Sequence, residues 1–96
     1  MDLLIIVSHP DAGAILQPLG HACGRAGADW AVFLTNDGVK TLIDPESVAS
    51  LSTAHHAFAC KESWDRYCGT KTCPVELGSQ TNNSELAGLA ARIVSL

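Results

Sequence analysis

The chain has 96 residues, a length that fits one domain at the small end of the range that folds alone. Apolar residues make up 47% and charged residues only 17%, which excludes a disordered, highly charged segment. The formal net charge is −4 and no basic run occurs, so nucleic acid is not an expected partner. The mean hydropathy of +0.17 is high for a small monomer and predicts that a second copy covers some apolar surface.

Leu3–Val7 is a branched apolar run, as in a strand buried on both faces of a parallel sheet. This N-terminal stretch lacks a basic region and carries Asp2, which argues against a signal peptide. Nothing in the chain approaches the ~20 apolar residues of a membrane span, and a cytoplasmic location is the simplest expectation. Ser8-His9-Pro10-Asp11 breaks the strand. Ile15, Leu16, Leu19, Ala22, Cys23 and Ala26 then recur at helical spacing, and Gly27 closes the helix. Proline fits only the first helical turn, so Pro18 predicts a start near Ala14.

Trp30–Leu34 is a second buried strand, and Thr35-Asn36-Asp37-Gly38 after it favours a tight turn with positive φ. Residues 39–43 read equally as an extended piece or a helical turn. Asp44 and Pro45 then open a helix as cap and first residue, with Val48 and Leu51 facing inward. A third strand covers Ala57–Cys60, a short helix Glu62–Tyr67, and a fourth strand Val75–Gly78. Asn82 and Glu85 have capping-box spacing before the stripe Leu86, Leu89 and Ala90, and Ile93–Leu96 has strand character. The alternation predicts a single α/β domain over residues 1–96. The expected architecture is a three-layer sandwich with a mostly parallel sheet of about five strands.

Four cysteines in a chain of this kind point to sulfur, redox or metal chemistry before structural disulfides. Cys60 ends a strand where a helix starts, beside Lys61; unpaired N–H groups and the positive helix end favour its thiolate. The competing reading is a small packing residue that closes the strand. Cys68 and Cys73, in C-x4-C spacing, read as second thiols or as inert loop residues. Continuous helix from 60 to 68 would hold Cys60 and Cys68 ~12 Å apart, too far for a disulfide. Cys73, on a returning loop, is the better candidate for a second thiol. A zinc site from three cysteines with His55 or His56 lacks the close paired spacing that zinc usually takes. Cys23 lies on the apolar stripe of its helix and reads as core. No Gly-rich phosphate loop occurs, so no organic cofactor is implied.

Phe33-Leu34-Thr35-Asn36-Asp37-Gly38-Val39, the strand into Cys60, and the C-terminal Arg92-Ile93-Val94-Ser95-Leu96 follow in this order. In these residues the chain resembles the DsrE/DsrF/TusD-like family of small sulfur-relay proteins. The resemblance implies a DsrE-like fold, a trimer or hexamer, and a persulfide carried on Cys60 between sulfur donor and acceptor proteins. Cys68, Cys73 and the polar stretch Ser79–Ser84 depart from the simpler members. A different class of function, an oligomeric interaction module with structural cysteines, accounts for the same composition.

Overall fold

A computed structural model describes all residues from Met1 to Leu96. Five strands, β1 (Leu3–Val7), β2 (Trp30–Leu34), β3 (His56–Cys60), β4 (Glu76–Gly78) and β5 (Arg92–Ser95), form one sheet in the order β4-β3-β2-β1-β5. Every pairing is parallel. β2 is the centre of the sheet and is buried along its whole length, which is why Trp-Ala-Val-Phe-Leu is apolar without alternation.

The connections divide between the two faces. Helix α1 (Gly13–Ala26), a 3-10 helix (Asn36–Ile43), α2 (Pro45–Ala49) and α3 (Lys61–Tyr67) link β1 through β4. Their inward residues Leu16, Cys23, Val39, Leu42 and Trp64 pack with Ile5, Val7, Val32 and Leu34 in the larger core. Helix α4 (Gln80–Leu89) carries the chain from β4 back to β5 over the opposite face, where Leu86 packs with Leu4, Ala31 and Phe33. A right-handed crossover requires this reversal of face when the direction along the sheet reverses. The result is a three-layer α/β sandwich in one domain.

Three local expectations need correction. Helix α1 starts at Gly13, one residue before the expected Ala14, with Ile15 and Leu16 donating to the Ala12 carbonyl, but Pro18 falls in its second turn and not the first. Burial of Leu16, Gly20 and Cys23 against the core holds that helix despite the lost bond. Gly20 fits there because an added Cβ would fall 2.3 Å from the Ser50 carbonyl oxygen. The capping box of α4 lies three residues earlier than expected: Ser79 is the cap and Asn82 its third residue, with Ser79 N donating to Asn82 Oδ1 at 2.8 Å. Leu89 is not in the core stripe but is 66% exposed, as α4 buries only Leu86. Residues 39–43 are helical, of the 3-10 type. Asn36 takes the positive φ expected of that turn, at 51°.

No helix is long and apolar enough to cross a membrane.

Candidate functional site

Cys60 is the last residue of β3 and the N-cap of α3. The next strand, β4, pairs in register with β3 so that Gly78 lies beside Cys60. From these two neighbouring strand ends the chain leaves in opposite senses, to α3 on one face and α4 on the other. Such a switch point leaves a crevice at the carboxyl ends of the strands, the usual ligand position in open α/β sheets. Here it is a cavity of about 700 Å³, bordered by Thr35 and Asn36 after β2, Cys60 and Ser63, and Gly78 and Gln80. Gly78 leaves no room for a side chain: an added Cβ would meet Asn82 Oδ1 at 2.9 Å and the Phe58 ring at 3.0 Å.

Cys60 is held at the edge of the smaller core, and the residue is 7% exposed. Burial pushes the Cys60 thiol up, but polar groups around it outweigh burial and bring it below its ordinary value. These are the Ser63 hydroxyl, the backbone N–H groups of Ser63 and Glu62, and the side chain of Gln80. No geometrically complete capping bond closes on Sγ, so their effect is that of donors gathered around a developing negative charge. Ser63 is aligned for this role. Its Oγ accepts the Asn36 N–H at 2.9 Å, which leaves its own proton free for the sulfur. The Gln80 amide donates to Thr35 Oγ1 at 3.2 Å and so ties the start of α4 to the end of β2 across the cavity.

Lys61 does not take the role expected of it. Its Nζ pairs with Asp65 Oδ2 at 2.8 Å along α3, and the groups that lower the Cys60 thiol are the neutral donors just named. The other candidates are placed apart from Cys60. Cys68 caps the far end of α3 and is buried in the larger core, across the sheet from the Cys60 side chain. The helix between them is continuous, which sets their separation at ~12 Å. Cys73 packs against that same larger core, close enough to Cys68 for one thiolate to oppose the other. Burial raises the thiols of Cys23, Cys68 and Cys73. All four cysteines are free.

His9 Nδ1 accepts the Asp11 N–H at 3.1 Å and serves the turn into α1. His55 lies at the amino end of β3, where its Nδ1 is 3.2 Å from Asp29 Oδ1, and His56 stacks on Phe58. No three His, Cys, Asp or Glu side chains converge in a way that could hold a metal ion, so the zinc reading has no ligand set. Trp64 anchors α3 in the larger core, with its indole N–H donating to the Lys71 carbonyl at 2.7 Å.

Ser63, Thr35 and Gln80 are the site residues to which the sequence assigned no role. Ser63 was within reach, since an N-cap side chain points at the third residue of its helix and Cys60-x-x-Ser63 has that spacing. Chemically, the arrangement offers a thiol biased toward its thiolate in an open polar cavity with hydrogen-bond donors around it; Glu62 also lines the cavity but acts on the sulfur only through its backbone N–H. No family model matches the chain, and no curated protein is significantly similar to it.

Proposed function

We propose that the protein is a sulfur carrier of the DsrE-like kind, cytoplasmic and homo-oligomeric, which holds sulfur as a persulfide on Cys60. The observation that carries this reading is that Cys60, alone among the four thiols, is shifted toward the thiolate, and it opens on the crevice at the switch point of the sheet. The Cys60 thiolate attacks the outer sulfur of a donor persulfide R–S–SH. The donor's S–S bond breaks, R–S⁻ leaves and takes up a proton, and Cys60 retains –S–SH. No net oxidation occurs, and the donors that favour the thiolate also favour the persulfide anion that passes sulfur on. Exposed Ile15, Leu89, Ile93 and Val94 supply apolar surface for a second copy, which supports the homo-oligomer.

The test is the intact mass of the reduced protein after exposure to a low-molecular-weight persulfide, with Cys60→Ser in parallel. One added sulfur that is lost in the variant is the expected result. No added sulfur in the native chain, or a gain that survives in Cys60→Ser, refutes the assignment.

A further inference from the structure

The six cationic residues are scattered in the sequence, yet folding gathers three of them. Lys40 belongs to the 3-10 helix, Arg66 to the last turn of α3, and Lys71 to the loop after it. The Lys40 Nζ stands 5.4 Å from the centroid of the Tyr67 ring, and the Arg66 guanidinium carbon 5.5 Å from it. Lys71 is fixed in the same neighbourhood through its carbonyl, which accepts the Trp64 indole N–H. Both lysines act on the Cys68 thiol, opposing the effect of its burial. None of the three has a carboxylate within 4.0 Å; the ion pairs of the chain involve His9, His55 and Lys61. In a chain of net charge −4 with ten acidic residues, leaving half of the cations unpaired on one face concentrates positive potential there.

This cationic face adjoins an apolar groove. Lys71 borders a cavity of about 430 Å³ walled by Leu42, Ile43, Val48, Trp64 and Pro74, and Ile43 is 52% exposed. We propose that the face docks an extended segment of another protein that joins carboxylates to an apolar anchor. The anchor enters the groove, and the carboxylates meet Lys71, Lys40 and Arg66. Pro45, which also borders the groove, is flanked by Asp44 and Glu46, so negative charge marks that side of the groove. Asp44 is occupied there by the Glu46 N–H and the Gln17 amide. The docked segment therefore points its acidic end toward Lys71. Three cations are too few for a polyphosphate backbone, whereas an exposed tyrosine and arginine beside an apolar pocket suit a peptide interface. The inference does not depend on what Cys60 does.

The experiment is selection of a random peptide library displayed on phage against the native protein, with Lys40→Gln/Lys71→Gln and Ile43→Asp as separate comparisons. These three side chains are exposed, so the substitutions spare the core. Retained peptides should combine carboxylates with leucine or aromatic residues and weaken about tenfold on either variant. Binding to the native protein should also weaken as salt rises. Failure to enrich any peptide on the native protein over the variants, or enrichment of peptides without carboxylates, overturns the proposal. It is overturned equally if the native chain self-associates through this face and Ile43→Asp dissociates it, because the occupant is then a second copy.

Discussion

Removing the Ser63 hydroxyl tests the electrostatic account of Cys60 most directly. In Ser63→Ala the sulfur loses one donor while its backbone and Gln80 neighbours stay. A hydrogen bond to a charged group contributes ~1.5–3 kcal/mol, and because no geometrically complete bond closes on Sγ and the cavity is open to solvent we take the lower end. About 1.4 kcal/mol is a factor of ten, so at pH values below the native Cys60 pKa the thiolate population should fall about tenfold. Each remaining thiolate is more nucleophilic, since reactivity rises with basicity at a slope of ~0.4–0.5, which restores about threefold. Alkylation of Cys60 by iodoacetamide should therefore slow about three- to fourfold at pH values below the native Cys60 pKa. Once both proteins are fully ionised, the variant should instead react about threefold faster. The assay is the pH dependence of Cys60 labelling, followed by the mass of its own peptide so that the other thiols do not contribute. The variant also leaves the Asn36 N–H without its acceptor, at a cost of ~1–3 kcal/mol of stability, so labelling is run well below its melting temperature. A profile that does not move, or a variant slower at every pH, would refute the donor role and point to altered access.

Two glycines of opposite surroundings test the packing. Gly20→Ala should destabilise by about 1–3 kcal/mol in urea, because its Cβ would strike the Ser50 backbone at 2.3 Å. Gly88→Ala in α4 should stabilise by ~0.4–1 kcal/mol, since nothing lies within 4 Å and the unfolded chain loses freedom; equal effects at the two sites would contradict the close α1–Ser50 contact. Alkaline pH tests the three thiols that desolvation raises. Cys23, Cys68 and Cys73 are raised above 9.0 in the fold, so the unfolded chain releases their protons first and stability falls as pH climbs past that value. Cys60 acts in the opposite sense, its contribution growing as pH rises through its lowered folded value toward 9.0. Cys73→Ser should reduce the loss of melting temperature between neutral pH and a pH above 9 relative to the native chain, and an unchanged or larger loss would count against that thiol's contribution.

The parts of the fold that could be read from the sequence are those set by short-range patterns. Trp30–Leu34 has no polar residue because it lies at the centre of the sheet, and the same run identified it as a strand. Asp44-Pro45 fixed the start of α2 by its own chemistry, and the Asp44 carboxylate accepts the Glu46 N–H at 3.0 Å. α4 was harder. Ser79-x-x-Asn82 and Asn82-x-x-Glu85 both have capping-box spacing, and a helix that buries only Leu86 gives no apolar stripe to choose between them. The later register placed Gln80 in a loop, and with it went the side chain that faces the sulfur. Lys61 misled for a related reason: adjacency in sequence suggested a partner for Cys60, but on a helix the near neighbour of residue 61 is residue 65.

What the linear reading could not supply was strand order. Cys60 at the end of an apolar strand is a thiol at a helix start, and that much the residues state. It becomes a site because β4 pairs with β3 while its outgoing helix crosses to the other face, and that crossover is forced only by the long return to β5 at the far edge. Thr35 and Gln80, which are 45 residues apart, meet across the cavity for the same reason. Had β4 continued outward to another strand, its helix would lie on the α3 side, and the Gln80 donor from α4 would be absent. The Gln80 donor beside Cys60 thus depends on the position of β5, the strand farthest from β3 in the sheet.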